Sequence, residues 1–267
     1  MAWEVSTFIL SEMDPRQLEN LQITFHVMSE MIVPEYPIPL ETLLIYSNYS
    51  ADAQAERTET PADLPVARHP SAPELYMASI GFIHSAGRHM QFFTKNIAAK
   101  KQLWKAPSAR VDLTGGFFKA YHTRLFTLIP PVTVTFYAYG KRDAIDELVH
   151  RIPALGSKRG HGFGKVSSVH ITQIDDNLSW IHQDRPMRAI PVRLYPDRIK
   201  DWYYTVWNLI PPSYSAQGRE LCYVPRQDEW LSVVNNRGPS VWETDTLPVA
   251  KPLKSKRGKS RHLWQEE

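Results

Sequence analysis

The chain has 267 residues, of which 43% are apolar and 22% charged, with a formal net charge of +3 and a single cysteine. This composition excludes a wholly disordered or coiled-coil protein, and the lone Cys222 excludes an intramolecular disulfide and a zinc site built from cysteines. There is no run of about 18 apolar residues to span a bilayer, and MAWEVSTFILSEMDPRQ has no basic n-region, so the expectation is a cytoplasmic protein with neither leader nor membrane contact.

At about 100–200 residues per domain the length suits one large domain, or a smaller one with additions. The small net charge hides a strong asymmetry. Residues 1–74 hold three basic side chains (Arg16, Arg57, Arg68) against twelve acidic ones. Residues 88–124 hold eight (Arg88, Lys95, Lys100, Lys101, Lys105, Arg110, Lys119, Arg124) against one, Asp112. The stretch 251–261, KPLKSKRGKSR, holds six and no acid. Such a distribution suggests one face for a polyanion and another for something else.

In chain order, LQITFHVM at 21–28 alternates, with Leu21, Ile23, Phe25 and Val27 on one face, and reads as a half-buried strand. After the proline-rich VPEYPIP, Leu40, Leu43 and Leu44, with Tyr46 at the margin, form a stripe that predicts a helix over 39–55. Prolines at 61, 65, 70 and 73 predict a loop over 56–73. ELYMASIGFIH fits either a strand or a short helix. The basic segment 88–124 reads as two strands around an excursion. VTVTFYAYG at 132–140 is a strand by its β-branched and aromatic content. RDAIDELVHRI places Ile145, Leu148, Val149 and Ile152 at helical spacing with acids near its start. KVSSVHITQI is a further strand.

The resulting order, β-α-β-β-α-β, predicts an α+β, ferredoxin-like (RRM-like) domain over 1–180, with the basic excursion at about 88–124 inserted. A C-terminal extension, 181–250, is expected to pack on it. There RPMRAIPVRL reads as an extended edge segment, and DWYYTVWNLIPPSY is too aromatic for a linker. No element is evident from 227 onward, and 251–267 is expected to be a mobile basic tail.

The chemistry concentrates in Gly156-Ser157-Lys158-Arg159-Gly160-His161-Gly162-Phe163-Gly164, followed by Lys165. Glycines permit positive φ and close approach to peptide N–H groups, which together form anion nests. The cations add charge where a phosphate would sit. The alternative is a plain glycine-rich turn with solvated cations. The segment is neither a Walker loop nor a dinucleotide fingerprint, because GxxxxGK[ST] is absent and the segment follows a helix. The second signal is the basic stretch interleaved with Phe92, Phe93, Trp104, Phe117, Phe118 and Tyr121, since phosphates need cations and unpaired bases need flat surfaces. His161 and His122 are candidate acid–base groups, more simply read as contact or surface residues. Cys222 reads as buried, and no metal-ligand spacing suggests a cofactor.

Taken together, these motifs resemble the RAMP superfamily of CRISPR-associated proteins, and within it the Cas-five-like subunit of type IV CRISPR effector complexes. They are ITFHVMSEMIVPEYPIPLETLL, LPVAR with YMASIGF, TGGFFKAYHTRL, SKRGHGFGKV, DRPMRAIPV and WNLIPPSYSAQGRELCYVP, spanning roughly 21–225. Pro39-Leu40-Glu41 stands where that branch usually has a histidine–leucine–aspartate run. The resemblance implies a non-catalytic RNA-binding subunit that grips the 5′ handle of the guide RNA (crRNA). Such a subunit caps a filament of backbone RAMP subunits, meets the large subunit and reaches target DNA indirectly. The handle contacts it implies are the 156–165 loop, Lys119, Tyr121, and Lys100, Lys101, Lys105 and Arg110. A metal-independent guide-RNA processing endoribonuclease is the alternative within the superfamily, and an RRM-like RNA chaperone a more distant one.

Overall fold

A computed structural model of the chain describes residues 17–51, 64–95, 121–209 and 218–235. Strand β1, Glu19–Val27, buries Leu21, Ile23, Phe25 and Val27 and leaves the alternate residues half-buried, as the period of two requires. The two-residue β2, Met31–Ile32, follows. Helix α1, Leu40–Ala51, buries Leu40, Leu43 and Leu44. The next turn buries Ser47, whose hydroxyl donates to the Leu148 carbonyl at 2.6 Å, and turns Tyr46 outward. Tyr46 therefore leaves the predicted stripe.

The expected loop over 56–73 is interrupted. Strand β3, Arg68–His69, pairs with β4, Ala72–Tyr76, as a short hairpin. Pro70 sits in its turn and Pro73 on its rim, places where a missing N–H breaks no ladder. The Arg68 guanidinium closes the hairpin on the Pro73 carbonyl and the Tyr76 hydroxyl, both at 2.9 Å. ELYMASIGFIH resolves into the end of β4 and the start of β5.

Strand β5, Phe82–Lys95, runs antiparallel to β6, Tyr121–Gly140, from Phe82↔Thr135 to Lys95↔Tyr121. The register shifts between Ser85 and Gly87. There the Ser85 hydroxyl lies within hydrogen-bonding distance of the Gly87 and Ile129 carbonyls, at 2.8 and 2.9 Å. Helix α2, Arg142–His150, carries Asp143 in its first turn and buries Ile145, Leu148 and Val149. Strand β7, Val166–Gln173, follows the glycine segment.

The main sheet runs β7-β1-β6-β5, with β1 antiparallel to both neighbours and β2 also paired to β6. Its buried face carries Leu21, Ile23, Phe25, Val132, Val134 and Phe136, which share one core with Leu40, Leu44, Ile145 and Val149 of the helices. Phe25 meets Phe136 edge-on at 5.7 Å. Each such side chain contributes about 1.5–3 kcal/mol through burial. The chain is thus a mixed α+β protein with a sheet-based core.

Beyond residue 180, β8 (Ile181–His182) and β9 (Arg185–Pro186) form a hairpin. Its two turn residues, Gln183 and Asp184, have φ of 47° and 60°, as a tight two-residue hairpin turn demands. Strand β10, Ile190–Pro191, joins β11, Tyr204–Asn208, and β12, Arg219–Tyr223, in a second sheet ordered β10-β12-β11. The segment expected to be extended to Leu194 departs after Pro191 into 3-10 turns at Val192–Leu194 and Pro196–Lys200, with Pro196 at the start of the latter. Of the aromatic segment, Trp202 is buried and meets Tyr223 edge-on at 5.2 Å, whereas Tyr203 and Tyr204 are exposed and residues 210–214 lie outside the described residues.

The region after 227, read as featureless, holds α3, Gln227–Trp230, and β13, Leu231–Asn235. Strand β13 pairs parallel to β5 and covers its free edge, while Trp230 enters the main core. Arg188 joins this half of the chain to the first. Its guanidinium donates to Glu41 of α1 at 2.9 Å and to the carbonyls of Tyr76, Ala78 and Ala189. The basic tail 251–267 lies outside the described residues, as do the acidic residues preceding position 17.

Candidate nucleic-acid interface

The glycine segment closes the gap between α2 and β7, and its glycines do different work. Gly164 is buried with φ of +69°, and a Cβ there would lie 1.8 Å from the Leu155 carbonyl oxygen. Its N–H donates to the Glu30 carbonyl at 2.7 Å, and its own carbonyl accepts from Leu155 N–H at 2.8 Å. Gly164 is therefore the latch that ties the loop to the chain between β1 and β2. Gly156, with φ of +79°, would meet the Met31 side chain at 3.2 Å. Gly162 also has a positive φ, +90°, but open space where a Cβ would stand, and Gly160 is equally open.

Between them Lys158 itself takes the left-handed conformation, φ 58°, and Arg159–His161 form a 3-10 turn. The N–H groups of His161 and Gly162 bond to the carbonyls of Lys158 and Arg159, and that of Lys165 bonds to the Ser29 hydroxyl at 2.8 Å. With Gly164 N–H on Glu30, four of the N–H groups that could cradle an anion are engaged within the protein. These four N–H groups are therefore not available to an anion, and the exposed cations Arg159 and Lys165 add the loop's charge.

Those side chains are grouped on rings from two other elements. The Lys158 ammonium lies 4.7 Å from the centre of the Phe93 ring of β5, and His161 stands edge-on to the same ring at 5.0 Å. The Arg159 guanidinium lies 4.5 Å over Tyr46 of α1. Arg159, Gly160, His161, Gly162 and Lys165 are exposed, while Gly156, Lys158 and Phe163 are half-buried. The fold thereby brings the glycine segment and the basic–aromatic strand, about 65 positions apart, into one surface. On the opposite pleat of the β5–β6 arm, Arg124 lies over Phe92 at 5.6 Å and Arg88 over Phe126 at 5.8 Å. Met90 and Phe92 are exposed there.

Of the other candidate residues, Lys100, Lys101, Lys105, Arg110 and Lys119 lie outside the described residues. Tyr121 opens β6, its backbone paired with Lys95. One group escaped the sequence reading. Glu30 lies 3.5 Å from His89, and Gln91 Nε2 reaches Glu30 at 2.5 Å and His89 Nε2 at 2.8 Å. The signal was available: His89, Gln91 and Phe93 recur at a period of two, which puts them on one pleat of a strand. Cys222 is buried, and burial above all, with Glu220 nearby, pushes its thiol up to about 12. Among the described residues no helix is long and apolar enough to cross a membrane.

The family model described as CRISPR type IV associated protein Csf3 matches residues 84–219, just over half of the chain and a span that includes the loop and most of β5. No curated protein matches the chain.

Proposed function

From the premise that the chain belongs to the family of CRISPR type IV associated protein Csf3, and so to a CRISPR complex with other subunits, we propose that it is the Cas-five-like RAMP subunit of that complex. In this role it is a non-catalytic, cytoplasmic RNA-binding protein. It grips the 5′ handle of the guide RNA, caps the filament of backbone RAMP subunits and contacts the large subunit. Target DNA is met only through the rest of the assembly. The strand order β7-β1-β6-β5, with α1 after β1 and α2 after β6, supports the ferredoxin-like reading of the domain.

The observation that carries the proposal is the convergence of Lys158 and His161 on Phe93 and of Arg159 on Tyr46. Cations held over rings at an exposed glycine turn pair charge for phosphates with surfaces for unstacked bases. In the test, binding of labelled single-stranded repeat RNA is measured against salt. Each phosphate neutralised contributes a slope of about −0.7 on a log–log plot. Lys158→Ala with Arg159→Ala weakens binding and flattens the slope by about 1.4 if each cation meets one phosphate. A double variant with the wild-type slope removes the loop from the interface.

The contact of His89 with Glu30, whose carbonyl accepts from the loop's Gly164 N–H, favours a second reading, a metal-independent endoribonuclease, because positioned acid–base groups accelerate cleavage about 10²–10⁴-fold. Labelled repeat RNA on a denaturing gel separates the two. The binding role leaves the RNA intact. Cleavage that disappears in His161→Ala or His89→Ala establishes the enzyme.

A further inference from the structure

The sheet has a second face. The side chains alternating with Leu21, Ile23 and Phe25 along β1, and their cross-strand neighbours on β5, β6 and β7, point away from α1 and α2. They are half-buried or exposed, in contrast to the closed core opposite. Two ring pairs stand there. His26 of β1 meets His170 of β7 at 5.3 Å and 73°, and Phe82 of β5 meets Tyr137 of β6 at 6.0 Å and 59°. Between them Thr24 and Thr135 approach hydroxyl to hydroxyl at 3.5 Å. None of the side chains that the register places on this face is acidic.

The face adjoins the loop. Exposed Lys165 directly precedes β7, and its carbonyl accepts from Met28 N–H at 2.8 Å, one position past the end of β1. The Ser167 hydroxyl donates to the His26 carbonyl at 3.0 Å. The row containing His26 is therefore the end of the face nearest the loop's cations. From that row to the one containing Gln22 and Tyr137 is four residues along β1, about 14 Å. That is room for the two or three bases that an open four-stranded sheet can stack.

We propose that this face, which no helix among the described residues covers, is a base-stacking platform for the single-stranded RNA that leaves the 156–165 loop, with His26–His170 and Phe82–Tyr137 as its two stacking positions. The inference rests on the RNA-binding function proposed above and adds where the bases go. A protein-docking patch wants a contiguous apolar centre, whereas this face offers rings separated by hydroxyls and amides, the groups that meet base faces and edges. The absence of carboxylates suits a polyanion.

The test uses the full chain and two fluorescent probes, a 12-nucleotide RNA of mixed sequence and an abasic ribose–phosphate 12-mer. The combined His26→Ala and His170→Ala variant is expected to bind the base-containing RNA at least about fivefold more weakly, the lower range for loss of one stacked base. The abasic probe and the salt slope are expected to stay at wild-type values. His170→Ala, a single neutral change at an exposed position, repeats the test should the double variant melt early. Wild-type affinity for the base-containing RNA in a folded variant overturns the platform. Loss of self-association in its place assigns the face to a protein contact and overturns it equally. Should the wild-type chain bind neither probe, the RNA-binding function itself fails. Should Lys158→Ala with Arg159→Ala weaken binding while the sheet variants do not, the platform alone fails.

Discussion

Replacing Arg188 with alanine tests how the two halves of the chain are joined. The Arg188 and Glu41 side chains are 4% and 7% exposed and 2.9 Å apart. Burial is the largest influence on Glu41 and raises its pKa, while Arg188 draws it back down. Glu41 Oε2 has no partner, so Arg188 supplies most of what stabilises the charge. Truncation strands a buried carboxylate and frees the Tyr76, Ala78 and Ala189 carbonyls, a loss of about 3–5 kcal/mol by urea unfolding at pH 8. The pH dependence has a definite sign. A carboxylate whose folded pKa lies above its unfolded one holds its proton longer in the folded state. Stability therefore falls as pH rises from the ordinary carboxylate value through the raised one. Removing Arg188 extends that window upward, so the loss is smaller near pH 4.5 than at pH 8. Arg188→Met with Glu41→Leu removes both charges and is expected to lose less than Arg188→Ala alone, the remainder being the donors withdrawn from the Tyr76, Ala78 and Ala189 carbonyls. A loss below about 1 kcal/mol for Arg188→Ala, or the same loss at both pH values, refutes the reasoning.

The glycines of the loop are expected to rank by structure. Gly164→Ala combines a left-handed φ with a contact of 1.8 Å to backbone and lowers stability by at least about 2 kcal/mol. Gly162→Ala meets no atom and loses about 1–2 kcal/mol, and Gly160→Ala changes little; thermal unfolding of the three variants reads the order. Cys222, with its thiol near 12, is about one part in ten thousand thiolate at pH 8, so a thiol-specific disulfide reagent labels the folded chain orders of magnitude more slowly than the unfolded one. Equal rates contradict its burial.

Elements whose own residues declare their period were legible in the sequence. Leu21 to Val27 alternate, Ile145, Leu148 and Val149 recur at helical spacing, and the structure has a strand and a helix there. What eluded the sequence depends on distant partners. LSVVN at 231–235 is too short to read as a strand and becomes one by pairing with β5, some 150 positions earlier. Arg188 and Glu41 are separated by 147 positions and neither has a local signature. Within the site, the glycines and cations of 156–165 were plain, but not that His161, Gly162, Gly164 and Lys165 use their N–H groups internally. Nor was it legible that Tyr46, counted toward a helix stripe, turns out to meet Arg159.

The most direct test of the central claim is photochemical crosslinking of labelled repeat RNA to the full chain, followed by identification of the modified peptides. Aromatic side chains within contact of bases react, so the account expects crosslinks at Phe93, at the 156–165 loop around His161, and at Tyr46. Efficient crosslinking confined to other segments, with these peptides unmodified, would contradict it.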